Sequence, residues 1–510
     1  MNSQILIEGI LTQANANPEK VVVKDSKKLW TWRSLIARAN SYRKAIKDSE
    51  ELADEREFAL PILVDRSGET VAAILGAIMS GNAFSPLSQN QPQSRLSKVL
   101  KTLDARRIML TDHQIVGPTS LHKISASKGS IGNDVFELSA YNSKSDIAYV
   151  LFTSGSTGQP KGVVANYSNI NNTMRWSADI LQWRKSDVIG NCTNFFFDIS
   201  MFDIFTLFYF GVPMAIFSEP STPIKVLDQI TDFKISSIFG VPTFFSQIHR
   251  QGLIDDKRCE TIRRIISGGD FFPPTHILSW FSKKPNVEIY NVWGPTETSI
   301  VNTMHKIVTT DLPLLQSGRS PSVGKAHPRM QFILIDENNQ VITDPNVAGE
   351  ICMLGDCVTV GYLGDQEKTD KAYFNFNGTR AFHTQDLGYT DENDNLFIIG
   401  RTGTTVKVSG YRINLVEIES VASTLVNIHL ACCCVVETKS QNPELVLVLE
   451  QINKNLDEDI YVIKKALRRL LPNYMVPKRI IWTDALPKNP NGKVDRNLTS
   501  QFCEEYVRSR

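Results

Sequence analysis

The sequence has little net charge and no long apolar run. Its 510 residues carry a formal net charge of +1 at pH 7, so they produce no long-range field that would attract nucleic acid or an anionic membrane. The longest apolar stretch, 71–79, is too short to cross a bilayer as a helix. Polar residues interrupt the apolar ones throughout 1–14, which is typical of an amphipathic helix and not of a signal peptide. We therefore expect a cytoplasmic protein.

The sequence also lacks paired cysteine motifs. None of its eight cysteines forms a C-x-x-C pair, and three of them are adjacent at 432–434 within an apolar run. Neighbouring residues of a strand point to opposite faces, so these three suit neither a disulfide framework nor a zinc site. We expect them to be small buried apolar residues in a reducing compartment.

A Walker phosphate-binding loop is missing as well. The glycine-rich stretch at 154–158 fails the spacing G-x-x-x-x-G-K-[ST], because Pro160 stands five residues after Gly155. A second near-match at 318–325 has one residue too many between its glycines and lacks Ser or Thr after Lys325. Both mismatches argue against a P-loop ATPase.

The length and the patterning that are present predict an α/β protein. A single hydrophobic core stops growing at roughly 250–300 residues, so this chain is expected to form at least two domains. Apolar residues make up 42% of it, which favours folding throughout. Residues 62–65, 69–80 and 81–87 form a strand–helix–strand pattern, as expected of a β–α–β unit.

An apolar strand at 147–153 runs directly into the loop of glycines and hydroxyls at 154–158. Glycines let backbone N–H groups approach an anion, hydroxyls add donors, and Lys161 adds a positive charge. The loop therefore predicts a phosphate site. A flexible surface turn is the alternative interpretation.

Three later segments, 235–244, 263–270 and 287–298, each have an apolar strand that ends in glycine and polar residues. Ligands of parallel α/β sheets sit at the carboxyl ends of the strands, so the three ends predict one shared crevice. Asp198 lies within an apolar run and needs a partner, since an unpaired buried carboxylate is costly. A capping or loop role is the alternative for Asp198, and the nearby Asp203 is a candidate for a structural acid.

In this order the motifs resemble those of the adenylate-forming superfamily: acyl-CoA synthetases, luciferases and the adenylation domains of nonribosomal peptide synthesis. The resemblance covers nearly the whole chain. The matching segments are the phosphate loop at 151–162, "NxYGPTE" at 287–298, "YRTGDL" at 382–388, the hinge motif "GRxDxxVKxxGxRIELxEIE" at 397–417 and "LPxTxNGKxDR" at 486–496.

The resemblance implies a large N-terminal adenylation core at 1–400, made of α/β subdomains and a small β subdomain, followed by a small mobile α+β lid domain at 401–510. Three positions depart from the family's motifs. Trp293 replaces a tyrosine and loses its hydroxyl, and Gln385 replaces a glycine. Gly403 replaces a charged hinge residue, and its wider backbone range predicts a looser hinge, with a tolerated turn glycine as the alternative.

The resemblance also implies a site for ATP and Mg²⁺. Glu297 is expected to bind Mg²⁺, which favours one or two carboxylates plus nucleotide oxygens. Asn291 and Trp293 are expected to flank the adenine, Thr296 to contact phosphate, and Asp386 to accept from the ribose hydroxyls. The other implied nucleotide contacts are Thr153, Ser154, Gly155, Ser156, Thr157, Gly158, Lys161, Gly269 and Arg401. Glu297 and Thr153 are implied in catalysis too.

Asp198 matches the aspartate that holds the substrate's α-ammonium group in amino-acid-activating members of the family. The implied pocket positions are Asp198, Ile199, Phe202, Thr243, Ile266, Gly268, Val292, Ile300 and Val301, with Lys493 near the substrate carboxylate. Only Asp198 and Lys493 among them are charged, so a charged substrate side chain would be desolvated at a cost of several kcal/mol. This predicts a small to medium apolar amino acid such as proline, valine or alanine. We expect His383 to be a packing or solvated residue and not a catalytic group or a metal ligand.

The sequence therefore predicts an acid–thiol ligase that forms aminoacyl-AMP from ATP and an amino acid, with Lys493 as the catalytic lysine. The aminoacyl group would then pass to the phosphopantetheine thiol of a carrier protein. No serine site like "GGxS" is present, so the carrier is expected in trans. An acyl-CoA or aryl-CoA ligase is the alternative, and it would not need Asp198. A non-catalytic binding module would lack Lys493, Glu297 and Asp386.

Overall fold

A computed structural model describes residues 3–52, 57–111, 121–126, 145–153, 160–270, 272, 274–317, 319–327, 329–401, 405–422, 425, 428–437, 443–451, 460–487 and 494–508. The α-helices of these residues are, in chain order, α1 (Ser3–Ala16), α2 (Trp32–Asp48), α3 (Gly68–Met79), α4 (Gln93–Thr102), α5 (Tyr167–Leu181), α6 (Asp198–Phe210), α7 (Pro223–Phe233), α8 (Pro242–Arg250), α9 (Pro274–Lys283), α10 (Leu312–Gln316), α11 (Gln366–Ala372), α12 (Leu415–Ala422), α13 (Ile460–Leu470) and α14 (Arg496–Arg508).

The β-strands are β1 (Val21–Lys24), β2 (Leu29–Thr31), β3 (Leu60–Val64), β4 (Phe84–Ser88), β5 (Arg107–Leu110), β6 (His122–Ile124), β7 (Ile147–Thr153), β8 (Lys161–Asn166), β9 (Ile189–Asn191), β10 (Met214–Ile216), β11 (Ser237–Gly240), β12 (Arg264–Ser267), β13 (Glu288–Trp293), β14 (Thr303–Lys306), β15 (Gln331–Ile335), β16 (Val341–Ile342), β17 (Gly349–Leu354), β18 (Gly361–Tyr362), β19 (Tyr373–Phe376), β20 (Thr379–Thr390), β21 (Leu396–Arg401), β22 (Thr405–Val408), β23 (Tyr411–Asn414), β24 (Ile428–Glu437), β25 (Pro443–Gln451) and β26 (Arg479–Thr483).

The chain divides into two compact units. The larger contains Met1–Gln89, Leu100–Leu151 and Gly162–Gly400, and the smaller contains Asn90–Val99, Phe152–Lys161 and Arg401–Arg510. The chain is an α/β protein with a large N-terminal part and a small C-terminal one, as predicted. The assignment of ATP and amino-acid binding to 1–400, and of lid function to 401–510, stays a prediction.

An eight-stranded sheet forms much of the larger unit, in the order β14-β13-β12-β11-β9-β10-β1-β2. Its six inner strands run parallel, and the edge strands β14 and β2 pair antiparallel with their neighbours. Strands β11, β12 and β13 lie side by side, with Gly240 opposite Ser267 and Ser267 opposite Asn291. The carboxyl ends of these three strands therefore lie side by side along the sheet, as expected.

Local sequence signals explain several of the element boundaries. Thr31 caps α2 and forms a reciprocal capping box with Ser34. Helix α5 begins after the matching box of Asn166 and Asn169 and has the predicted bounds. Helix α3 is apolar on all sides and almost wholly buried, as expected for a helix between packed layers.

Two further sheets complete the larger unit. A seven-stranded sheet has the order β18-β8-β7-β4-β3-β5-β6, and it contains the predicted β3–α3–β4 unit with its strands parallel. The predicted small β subdomain is a sheet of the order β16-β15-β17-β20-β19, with β21 also paired to β20. The pairs among its first five strands are antiparallel.

In the smaller unit, β24, β25 and β26 form a sheet between helices, which matches the predicted α+β arrangement. The adjacent cysteines of β24 alternate as expected: Cys433 packs into one hydrophobic cluster, and Cys432 and Cys434 pack into another. All eight cysteines are buried and free. Helix α14 was not expected from the sequence.

No helix in the described ranges combines the length and apolarity needed to cross a bilayer.

Candidate active site

Asp198 is the first residue of helix α6, and two donors hold its carboxylate. The Thr296 hydroxyl donates to Oδ2 at 2.6 Å, and the Ile199 backbone N–H donates to Oδ1 at 2.8 Å. Phe197 occupies the N-cap position, so Asp198 is not the capping residue. The positive end of the helix stabilises a carboxylate in its first turn by about 0.3–1 kcal/mol. The side chain is therefore oriented by groups from two separate segments.

Asp203 differs sharply from Asp198, although both lie on α6. It has no solvent exposure, and burial raises its pKa well above the usual value. The Asn191 side-chain amide donates to Oδ2 at 2.9 Å. Oδ1 has no hydrogen-bond partner within the described residues. Asp203 is therefore a structural acid, as the sequence suggested for it.

Glu297 lies on a 3₁₀ turn (Thr296–Thr298) directly after β13 and is fully buried. The Tyr362 hydroxyl donates to its Oε1 at 3.0 Å. The backbone N–H and the hydroxyl of Thr359 donate to its carbonyl oxygen at 3.0 and 2.8 Å. A carboxylate fits the oxygen preference of Mg²⁺. Because Glu297 is fully buried, an ion reaches it only if the surrounding groups move.

Trp293 and Asp386 form a buried pair that the sequence did not predict. The indole N–H of Trp293 donates to Asp386 Oδ2 at 2.9 Å, and the exposed fractions are 5% and 4%. The Asp386 backbone N–H also donates to the Thr384 hydroxyl. An indole N–H can only donate a hydrogen bond, so tryptophan in place of tyrosine at this position could have indicated an acidic partner. Asn291 donates to the carbonyl oxygen of Ser322 at 3.0 Å.

The apolar pocket positions all belong to the main hydrophobic core of the larger unit. Its members include Ile199, Phe202, Ile266, Val292, Ile300 and Val301, all of them buried. A Cβ atom at Gly268 would lie 2.5 Å from Val292 Cγ2 and 2.9 Å from its carbonyl oxygen. Glycine is therefore required there for close packing of β12 against β13.

The turn after Glu297 is backbone-strained, which no sequence pattern predicted. Ser299 and Ile300 have φ values of 64° and 77°. A β-branched residue at positive φ is an outlier that costs about 1–3 kcal/mol and is often found at functional sites. The Thr173 hydroxyl donates to the Ser299 carbonyl at 2.8 Å and helps to hold this turn.

Several predicted site residues lie outside the described residues, namely Lys493, Gly403, Ser154, Gly155, Ser156, Thr157 and Gly158. Thr243 lies in the first turn of α8 and Arg401 ends β21. Gly269 follows β12 with φ 85°, and Lys161 begins β8.

Thr153 ends β7, and its buried hydroxyl has no partner in the described part of the chain. Such an atom is costly unless a ligand binds it, which fits the predicted phosphate site.

Comparison with known proteins identifies the family. The AMP-binding enzyme family matches residues 10–363, and the AMP-binding enzyme C-terminal domain matches residues 417–493. The chain belongs to the AMP-binding enzyme family. It is therefore an adenylate-forming enzyme of the ligase class that uses ATP, as predicted.

Two curated relatives resemble this enzyme over most of its length. Tyrocidine synthase 2 from Brevibacillus parabrevis is 28% identical over 497 residues, which are 95% of this chain but 13% of that protein. D-alanine–D-alanyl carrier protein ligase from Bacillus cereus (strain G9842) is 28% identical over 492 residues, covering 89% of this chain and 93% of that one. The chain thus spans about an eighth of the first relative.

The fold also matches solved structures. One is o-succinylbenzoate CoA synthetase from Bacillus subtilis, solved with a product analogue, at a TM-score of 0.80 and 21% identity. The match covers 96% of this chain and 97% of that chain. A CoA synthetase therefore shares this fold.

Proposed function

We propose that this enzyme activates a neutral, small to medium apolar amino acid as aminoacyl-AMP and then loads it onto a separate carrier protein. The observation that carries the proposal is the carboxylate of Asp198, which Thr296 holds at 2.6 Å beside a cluster of buried apolar side chains. A fixed carboxylate is the group that an α-ammonium requires as its partner. Carboxylic acids without an amine have no use for it.

The neighbouring side chains limit the substrate's side chain. The pocket positions around Asp198 are Ile, Phe and Val residues with exposed fractions of 8% or less. A second charge placed among them would be desolvated without a partner, at a cost of several kcal/mol. When two substrates differ by one methylene group, such a pocket favours one over the other by only about 1–3 kcal/mol. We therefore expect leakage among close homologues of the best substrate.

In the first half-reaction, a carboxylate oxygen of the amino acid bonds to the α-phosphorus of ATP, and the bond from that phosphorus to the pyrophosphate oxygen breaks. Asp198 binds the ammonium group and so orients the carboxylate. Lys493 donates to the charge that develops, an effect worth a few kcal/mol per fixed donor. Glu297 would hold Mg²⁺, which would supply positive charge against the phosphates.

In the second half-reaction, the phosphopantetheine thiol attacks the acyl carbon, loses its proton and displaces AMP. One relative supports a carrier protein as the acceptor, since it is by name a D-alanine–D-alanyl carrier protein ligase. We propose a carrier supplied in trans and a lid domain at 401–510 that turns at Gly403 between the two steps.

Pyrophosphate release with a panel of amino acids and matched acids tests this function. We expect one neutral apolar amino acid to be fastest and its analogue without the amine to be much slower. Asp198→Asn should reduce the rate with the amino acid and leave that with the analogue unchanged. Asp203→Asn is the matched control, because that acid lies on the same helix but is fully buried and bound by Asn191.

Two results would contradict the proposal. Faster release with aspartate, glutamate, lysine or arginine than with every neutral amino acid would refute the apolar pocket. Release that depends on an acid without an amine, followed by transfer to coenzyme A, would identify a CoA ligase instead.

A further inference from the structure

Three potential metal ligands lie together on the sheet of the small β subdomain. Glu350 and Cys352 are two residues apart on β17, which places both on one face. His383 of β20 stands directly opposite Cys352 in the strand register. One ligand atom from each side chain lies within 4.8 Å of the others. No other group of three such side chains comes this close in the part of the chain that the structure describes.

The distances between the ligand atoms fit a tetrahedral metal site. Cys352 Sγ lies 3.5 Å from His383 Nδ1, which lies 3.3 Å from Glu350 Oε2. Zinc takes sulfur at about 2.3 Å and nitrogen or oxygen at about 2.0–2.2 Å. A tetrahedron with those bonds has S···N edges of about 3.5 Å and N···O edges of about 3.4 Å. Two of the three edges therefore match a tetrahedral site, and the third, between Cys352 Sγ and the Glu350 carboxylate, lies within 4.8 Å.

Hydrogen bonding alone explains this arrangement less well. His383 Nδ1 faces both a thiol and a carboxylate, but one ring nitrogen cannot accept a proton from the first and donate one to the second. Its 3.3 Å distance to Glu350 Oε2 is also longer than the usual 2.9–3.0 Å of an N–H···O bond. A metal ion satisfies all three groups at once.

Outer contacts hold two of the three side chains in place. The Gln385 backbone N–H donates to Glu350 Oε1 at 2.9 Å, which leaves Oε2 towards the imidazole. The Phe374 ring packs on the His383 ring with centroids 4.3 Å apart. Metal-binding side chains are typically held by neighbouring groups in this way. Glu350 and His383 keep side-chain exposures of 23% and 27%, so an ion can enter from solvent.

We propose that Glu350, Cys352 and His383 bind a divalent transition-metal ion of the zinc class, with a fourth position open to water. Thiolate, imidazole and carboxylate suit zinc, whereas Mg²⁺ and Ca²⁺ prefer oxygen ligands. The site is separate from the Mg²⁺ expected at Glu297. It revises the expectation that His383 is only a packing or solvated residue.

Cobalt(II) titration of the metal-free, reduced, full-length protein tests the site. We expect one equivalent to produce the near-ultraviolet thiolate-to-cobalt charge-transfer band and the strong visible bands of tetrahedral cobalt. Zinc should then abolish both by displacement. Absence of the charge-transfer band in the parent protein would overturn the proposal.

Single substitutions test whether these three residues bind the cobalt ion. Cys352→Ala should eliminate the charge-transfer band, and His383→Gln should weaken cobalt binding at least about tenfold. Glu350→Gln should do the same while keeping an acceptor for the Gln385 N–H, so it remains informative if the cysteine variant does not fold. Cys434→Ala is the matched control, because Cys432 and Cys434 place their sulfur atoms 4.0 Å apart. A band that survives Cys352→Ala, or disappears in Cys434→Ala, would refute the site.

Discussion

Replacing Thr296 by valine should weaken amino-acid activation through Asp198. The substitution keeps a branched side chain of similar shape but removes the hydroxyl that donates to Asp198 Oδ2 at 2.6 Å. That length is typical of a hydroxyl bound to a carboxylate. Asp198 keeps the donor from Ile199, so its carboxylate becomes less well oriented but is not left without partners.

The expected loss follows from the strength of that bond. A hydrogen bond to a charged group contributes about 1.5–3 kcal/mol, which corresponds to roughly 10–150-fold in rate. We therefore expect kcat/KM for the amino acid to fall about 10–150-fold, while KM for ATP changes little. Thr296→Ser keeps the hydroxyl and should retain most of the activity. Pyrophosphate release, with each substrate varied against saturating amounts of the other, measures both constants.

A matched control comes from Thr303 on β14. Its hydroxyl is buried and has no hydrogen-bond partner in the described ranges, so Thr303→Val should leave both constants unchanged. The reasoning is refuted if Thr296→Val raises KM for ATP and spares the amino acid. That result would support the contact between Thr296 and phosphate that the sequence predicts. It would also mean that the function of Asp198 does not depend on Thr296.

Three further predictions concern single residues. Trp293→Phe removes a donor to buried Asp386 and should lower the free energy of unfolding by about 1.5–3 kcal/mol and raise KM for ATP; unchanged values of both would contradict this. Burial raises the pKa of Asp203, so its contribution to stability is complete below about pH 4 and is lost as pH rises towards the folded-state pKa. Asp203→Asn should flatten that fall in urea unfolding between about pH 4 and pH 8, and a slope equal to the parent's would refute it. Lys493→Ala should nearly abolish pyrophosphate release with unchanged far-ultraviolet circular dichroism, and an unchanged rate would remove Lys493 from the mechanism.

Much of the fold could be predicted because it depends on local patterns. The apolar runs and glycine turns predict strands β11, β12 and β13, and the sequence at 167–181 predicts a helix with the observed bounds of α5. These signals lie within a few residues of the element that they specify. Helix α14, which follows the lysine motif, was not predicted.

The contacts of the site could not be predicted in the same way. Thr296 is 98 residues from Asp198 in the sequence, and Trp293 is 93 residues from Asp386. The residue types indicated that each acid needed a partner, but several hydroxyls and ring N–H groups could have supplied it. The positive φ of Ile300 was also unpredictable, because its side chain disfavours that conformation and only the surrounding packing enforces it.

Two of the three predicted site acids, Asp198 and Asp386, have partners in one short segment, and the third, Glu297, is part of that segment. Trp293 ends β13 and holds Asp386, Thr296 holds Asp198, and Glu297 is the predicted metal ligand on the same turn. Gly294 stands between them. In the proposed function these groups hold the amino acid and the nucleotide, so a shift of this segment should disturb both sites.

Gly294→Ala tests that coupling. A Cβ atom at this position would lie 2.6 Å from the Ile300 carbonyl oxygen and 2.8 Å from Val301 Cα, and backbone atoms cannot move aside cheaply. Overpacking of this kind costs about 1–3 kcal/mol, so we expect lower stability together with higher KM values for both ATP and the amino acid. Gly9→Ala is the control, since nothing lies within 4 Å of its added methyl group. If only one KM changes in Gly294→Ala, the two sites are positioned independently, and the shared role of the segment from Trp293 to Glu297 is wrong.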